Sequence, residues 1–250
     1  MSKLADLIRR ATRMEAAPMG FGSTSRKRPP TMLLVALVSE RWEKTVAEAT
    51  SAGADAILLS GQPSESDLKK SVSAADGRPC GSQGSEPGEK ELARLSKAGI
   101  DFLVLDIQAP ASALLTEELG ILLHLKDELT DIQLRTIDAL SLDAMYLEDN
   151  AAPLTIQGQM ELQRVSGLAR TSLLLKVRPD VEQEDLLSLR EAGAILVAVD
   201  LSERNATDAL RRLRGVVDAL PPRRPRRKEM PEVTLPRNAT STEAEDDEEE

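Results

Sequence analysis

Five charged side chains stand at the ends of short aliphatic runs. Asp106 closes Phe102–Leu105, Lys126 follows Ile121–Leu125, and Glu148 follows Ala144–Leu147; Lys176 and Asp200 end Ser172–Leu175 and Ile195–Val199. If each run is a β-strand, alternate residues share a face. Leu103 and Leu105 then oppose Phe102, Val104 and Asp106, while Leu123 and Leu125 oppose Leu122, His124 and Lys126. Met145 and Leu147 oppose Ala144, Tyr146 and Glu148; Leu173, Leu175 and Val177 oppose Ser172, Leu174 and Lys176; Ile195, Val197 and Val199 oppose Leu196, Ala198 and Asp200. One set in each strand is wholly aliphatic, as a surface covered by helices should be. The other is mixed and ends in a charge.

Mixed faces turned towards one enclosed space would gather their charges at the carboxyl-terminal ends of the strands. Alternate strands supply alternate layers of a closed barrel, so Lys126 and Lys176 are expected in one layer and Asp106, Glu148 and Asp200 in the next. Two neighbouring ammonium groups depress each other's pKa, and a neutral amine is what imine chemistry on a carbonyl compound requires. Glu148 is the first choice and Asp200 the second for moving protons beside it. Asp106, His124 and Tyr146 share these faces and are candidates for contacting substrate, as is Arg178 just past the seventh run.

Other readings of the same residues stay open. Three carboxylates and two ammonium groups could neutralise one another with no substrate at all. Asp106, Glu148 and Asp200 could take a hard divalent cation, although the lysines would oppose it, and no metal or other cofactor is assigned. His124 is the only histidine and reads most simply as a packed, hydrogen-bonded interior side chain, which rules out a histidine-rich zinc site. Arg178 after a strand is more usually a surface ion pair. No serine lies in a G-x-S-x-G turn, and Cys80 between Pro79 and Gly81 reads as a structural thiol.

The elements that must position these groups repeat along the chain. Ala52-Gly53-Ala54-Asp55 leads into Ala56–Ser60, Ala98-Gly99-Ile100-Asp101 into Phe102–Asp106, Leu142-Asp143 into Ala144–Glu148, and Glu191-Ala192-Gly193 into Ala194–Asp200. Each phrase is a helix, a break and an aliphatic strand. Strands are expected at Thr31–Val38, Ala54–Ser60, within Arg78–Gln83, Asp101–Asp106, Ile121–Lys126, Ala144–Glu148, Ser172–Val177 and Ile195–Asp200. Helices are expected at Arg41–Ser51, Glu65–Ala75, Glu89–Ala98, Ala111–Glu118, Asp131–Leu140, Ile156–Ala169, Glu182–Glu191 and Thr207–Leu220. Gly81 and Gly84 make the third strand the weakest. Eight right-handed βα units close into a (β/α)8 (TIM) barrel more readily than they form an open sheet. The competing doubly wound sheet calls for a glycine-rich first turn, and Ser39-Glu40-Arg41-Trp42 has no glycine.

The ends differ from the middle. Within Ser2–Met14, Leu4, Leu7, Ile8 and Ala11 lie at helical spacing, so an extra amphipathic helix should pack on the barrel or on a partner, with a loop to Pro30. Pro221–Lys228 is basic and Glu243–Glu250 nearly all acidic; such a tail has nothing to bury and is expected to be disordered. The organisation is therefore residues 1–30 as helix and loop, 31–220 as barrel and 221–250 as tail. A formal charge of −10 and 2% aromatic residues argue against nucleic-acid binding. One cysteine and no long apolar run point to a cytoplasmic protein outside the membrane.

The layout resembles the aldolase-type barrels, in particular the ribulose-phosphate-binding group that includes indole-3-glycerol-phosphate synthase. The likeness runs over Ala52–Leu213 and is clearest in Glu182–Leu201. It implies a barrel enzyme whose phosphate site lies in glycine-bearing loops after strands seven and eight. Here those loops read Val177-Arg178-Pro179-Asp180 and Asp200-Leu201-Ser202-Glu203. Proline has no amide to offer and the carboxylates would repel phosphate, so that site is not carried over. The expected activity is a lyase or aldolase acting on a small carbonyl compound, with Lys176 or Lys126 forming the imine. The rival is a barrel without catalysis, a scaffold or regulatory subunit that meets a second copy or a protein partner through its first helix or its tail.

Overall fold

The recurring junctions show how each helix hands the chain to its strand. In the computed structural model, which describes residues 2–12, 30–84, 88–116, 118–148, 154–202 and 206–222, Gly53 and Gly99 have φ of 98° and 89°. This left-handed conformation is one that side chains disfavour. Their amides donate back to the last turns of α2 (Trp42–Ala52) and α4 (Glu89–Ala98), so each helix stops there and the chain reverses. An aspartate follows at the foot of the strand. Asp55 accepts a hydrogen bond from the Leu34 amide at 2.8 Å and Asp143 one from the Ile121 amide at 3.1 Å, each fastening its strand to the one before.

The strands are β1 (Leu33–Val38), β2 (Ala56–Leu59), β3 (Cys80–Gly84), β4 (Phe102–Asp106), β5 (Gly120–Leu125), β6 (Ala144–Leu147), β7 (Ser172–Lys176) and β8 (Ala194–Asp200). All pair in parallel, each with the next in sequence, and β8 pairs with β1, closing the barrel. Around it lie α2, α3 (Glu65–Ala74), α4, α5 (Asp131–Ile137), α6 (Ile156–Ala169), α7 (Gln183–Glu191) and α8 (Ala206–Asp218). Among the described residues the crossover from β4 to β5 carries a 3₁₀ helix, Ala111–Leu115, within the short helix expected at Ala111–Glu118. The architecture is thus the anticipated (β/α)8 barrel with an additional N-terminal helix, α1 (Lys3–Thr12). No helix among the described residues is long and apolar enough to cross a membrane. The expected loop before Pro30 and the acidic tail lie outside the described residues.

Closure divides the strand residues into two cores. Leu103, Leu105, Leu123, Met145, Leu173, Leu175, Val197 and Val199 join the helices in an outer core. Phe102, Val104, Leu122, Tyr146, Leu174, Leu196 and Ala198 fill the interior, so the expected alternation holds on these strands. Ile195 departs from it. The register between β7 and β8 slips at Leu173/Leu174, where Leu174 pairs with Leu196 after Leu173 has paired with Ala194. The extra residue turns Ile195 into the inner core alongside Leu196, as a bulge does by interrupting the two-residue period.

Gly81 explains why the third strand tolerates poor β propensity. It pairs with Phe102, and a Cβ at this position would lie 2.2 Å from the Phe102 ring. The aromatic ring takes the space that a side chain on β3 would need.

The foot of the barrel is closed by α1. Leu4, Ile8 and Ala11 are buried in the inner core, and burial of each large aliphatic side chain contributes about 1.5–3 kcal/mol. Asp101 locks the start of this helix, accepting hydrogen bonds from the Ser2 hydroxyl (3.1 Å) and from the Lys3 and Leu4 amides (2.8 and 2.9 Å). A carboxylate there also opposes the positive end of the helix dipole. The apolar face of α1 is therefore packed within the chain.

Gly81→Ala should destabilise the fold by about 1–3 kcal/mol through overpacking. Gly84→Ala on the same strand, where an added Cβ meets nothing within 4 Å, should change stability far less. Urea unfolding of the two variants checks this; equal losses would contradict the fit of the Phe102 ring over β3.

Candidate functional site

Inward parity brings His124, Tyr146, Glu148, Lys176 and Asp200 to the carboxyl-terminal end of the barrel, with Asp106 and Lys126 beside them. In the sheet register Asp106 lies opposite His124, and His124 opposite Tyr146. The imidazole and phenol rings stack at a centroid distance of 4.9 Å and an interplanar angle of 27°. Both rings are buried, at 5% and 1% exposure. Glu148, one residue beyond β6, reaches back over them. Its Oε1 lies 3.4 Å from His124 Nε2, and its carboxylate also faces the Tyr146 hydroxyl.

Burial holds the imidazole below its ordinary pKa against the pull of the Glu148 carboxylate, so His124 is neutral at pH 7. A neutral ring carries one N–H donor and one acceptor nitrogen, and Nε2 is the nitrogen turned towards Glu148. Burial pushes the Tyr146 phenol upward, and the Glu148 and Asp200 carboxylates push it further, so it keeps its proton. Glu148 thus meets two neutral hydrogen-bonding rings on one side while its own side chain is about half exposed (47%) on the other.

The lysines are arranged differently from the sequence expectation. Lys126 Nζ donates to Asp106 Oδ2 at 2.5 Å, and Lys176 Nζ to Asp200 Oδ2 at 3.0 Å. Each ammonium is matched to a carboxylate rather than set against the other. The hydrogen bond and charge of Asp106 raise the Lys126 pKa, the reverse of the depression expected from two adjacent lysines, and its side chain is 57% exposed. Lys126 is therefore held as an ammonium at the rim. The layer argument failed because a lysine chain is long enough to lean to the neighbouring strand, where Coulomb attraction selects a carboxylate.

The carboxylates are held as anions. Asp106 lies below the usual carboxylate range through the hydrogen bonds from Lys126 and from the Gln108 amide. For Asp200, burial pushes upward, but bonds from the Ser202 amide and hydroxyl and from Lys176 outweigh it, and the net direction is down. Arg178 is exposed and pairs with Asp180 at 3.4 Å, the surface ion pair weighed against a binding role. Among the described residues no three histidine, cysteine, aspartate or glutamate side chains come together in a way that could hold a metal ion.

Two cavities lie outside this cluster. One of about 590 Å³ lies between α4 and the outer face of β3 and β4, beside Gln83 and Arg94. The other, of about 340 Å³, lies at the foot of the barrel beside Arg9, Ser141 and Asp143. The sequence gives no strong sign of either. The first follows from small residues on β3 and the second from the short β4–β5 crossover next to α1.

No protein-family model matches the chain, and no curated protein matches its sequence. Solved structures do match in fold. A mutant tryptophan synthase α-subunit from Pyrococcus furiosus superposes with a TM-score of 0.58 at 15% identity, over 74% of this chain and 97% of that one. An HpcH/Hpal aldolase/citrate lyase family protein from Burkholderia cenocepacia J2315 gives 0.55 at 12% identity, over 74% and 93%. The homocysteine methyltransferase MmuM from Escherichia coli gives 0.52 at 15%, over 73% and 95%. At these identities the likeness establishes the fold and nothing finer.

The lowered His124 pKa has a consequence for stability. The unfolded chain, with the ordinary value of 6.5, binds the imidazole proton before the folded protein does. Stability from this group is complete above pH 6.5 and is lost as the pH falls from there to the folded value. His124→Gln should flatten the fall in unfolding free energy just below pH 6.5, measured by urea unfolding across a pH series. An unchanged slope would contradict the buried neutral ring. These side chains form the mouth of a (β/α)8 barrel.

Proposed function

We propose that the chain is a small-molecule lyase of the aldol type, with its site at the carboxyl-terminal mouth of the barrel. The observation that carries this reading is Glu148, an exposed carboxylate backed by the neutral His124 and Tyr146 rings. That is a geometry suited to taking and returning a proton. Similarity of fold to an aldolase/citrate lyase family protein and to a tryptophan synthase subunit is consistent with it. Carboxyl-terminal strand ends are also where barrel enzymes keep their reacting groups.

In the proposed step a β-hydroxycarbonyl compound lies with its hydroxyl on Glu148 and its carbonyl oxygen on Lys176. Glu148 takes the hydroxyl proton and the bond between the α and β carbons breaks. The former hydroxyl carbon leaves as a new carbonyl, and the electron pair passes into an enolate. The Lys176 ammonium holds the enolate oxygen by a charge-assisted hydrogen bond. Glu148 then returns its proton to the α-carbon, which balances the reaction.

Lys176 acts here as a cation. Forming an imine would first require passing its proton to a neighbour, and Asp200 is held below the ordinary carboxylate range, which makes it a poor acceptor. The ion pair thus supports electrostatic catalysis over the imine route read from the sequence.

Against a panel of β-hydroxycarbonyl compounds, Glu148→Gln should lower the turnover number by roughly 10²–10⁴-fold. Borohydride with substrate should leave Lys176 unmodified by peptide mapping. An adduct on Lys176 would restore the imine mechanism, and absence of cleavage across the panel by the unmodified protein would remove the enzymatic reading in favour of the scaffold.

A further inference from the structure

The loops that follow the strands supply their own anions. After β8, the Ser202 amide donates to Asp200 Oδ1 at 3.0 Å, while Asp200 Oδ2 receives Lys176. After β4 the pattern repeats, with the Gln108 amide on Asp106 Oδ1 at 3.2 Å and Lys126 on Oδ2. In each place one backbone amide and one ammonium converge on a carboxylate of the chain, using the donors that a bound anion would need.

Among the described residues, two further cations near strands seven and eight are also engaged. Arg178 pairs with Asp180. Arg212 donates to the carbonyl oxygens of Pro179, Asp180 and Val181, at 3.3 Å each. Among the described residues at the mouth, Asp106 and Asp200 are bonded to Lys126 and Lys176, while Glu148 lies against the His124 and Tyr146 rings, with Lys126 acting on it only through its charge. The formal charge of the whole chain, −10, adds a long-range field that disfavours anions.

We propose that the mouth selects an uncharged hydroxycarbonyl compound, with no phosphate or carboxylate group, whose hydroxyl is held by Glu148 beside the His124 and Tyr146 rings. This rests on the lyase reading for the identity of the site. It adds the substrate class, and it makes Asp200 a built-in anion standing where an anionic substrate would otherwise sit. A hydroxyl can donate to Glu148 without displacing either ion pair. A phosphate would have to break the Lys176–Asp200 pair and would leave Asp200 beside it.

Because His124 is the only histidine, its imidazole signals in the full-length, histidine-labelled protein report on the mouth alone. Titration with dihydroxyacetone should shift them saturably. Dihydroxyacetone phosphate and inorganic phosphate, at matched ionic strength, should bind at least about ten-fold more weakly. Asp200→Asn, which frees Lys176 and the Ser202 amide, should strengthen the response to inorganic phosphate by about ten-fold or more, with folding checked by circular dichroism. Equal or stronger binding of the phosphorylated probe, or no response of His124 to any of the three, overturns the proposal. The readout is binding, so selective binding without cleavage would sink only the lyase step, and cleavage of phosphorylated substrates would sink only this selectivity.

Discussion

A closed parallel barrel leaves each strand residue two choices, the inner space or the helix layer, and the two-residue period of the strand assigns them in turn. That alternation governs the rest of this molecule. It sends Leu103, Leu123, Met145 and Leu175 outward under the helices and Phe102, Leu122, Tyr146 and Leu174 inward. It also brings the polar ends of β4 to β8 to one mouth. The interior is apolar at its foot, where Leu4 and Ile8 of α1 close it, and polar at its top. Packing therefore gathers the polar side chains of the interior at one end.

Much of this is legible in the sequence because the signals are local. A helix, a break and an aliphatic run recur, with a left-handed reversal at Gly53, Gly99 and Gly193 and, at Asp55 and Asp143, a carboxylate that ties the next strand at its foot. The expected segments match the observed helices and strands to within a few residues, and the helix Ile156–Ala169 matches at both ends. What the sequence conceals is long-range. The bulge that turns Ile195 inward depends on the register with β7. The fitness of Gly81 for a strand depends on the Phe102 ring of the neighbouring chain segment. The place of α1 depends on Asp101, which is distant in sequence and becomes its cap only when the barrel closes.

The candidate site divides along the same line. Which side chains reach the mouth follows from parity, and His124, Tyr146, Glu148, Lys176 and Asp200 could be named from it. Which of them pair does not follow, because the flexible stems of Lys126 and Lys176 choose partners on neighbouring strands by electrostatics that no spacing encodes. The result changes the chemistry. On the proposed lyase reading, paired ammonium groups would stabilise negative charge on a substrate, whereas the mutually repelling lysines expected from the layers would have provided a nucleophile. Arg178, just past β7, is turned to Asp180 at the surface and stays out of the cluster.

The chain contains one histidine and one tyrosine, so the arrangement of the mouth can be read from a single pair of rings. A nuclear Overhauser experiment on protein labelled at His124 and Tyr146 tests it most directly. Inward alternation with the observed register requires a cross-peak between the two rings, whose centres lie 4.9 Å apart, and its loss on unfolding. A folded protein without that cross-peak would place the two side chains on different faces, and the site described for Glu148 would have no foundation.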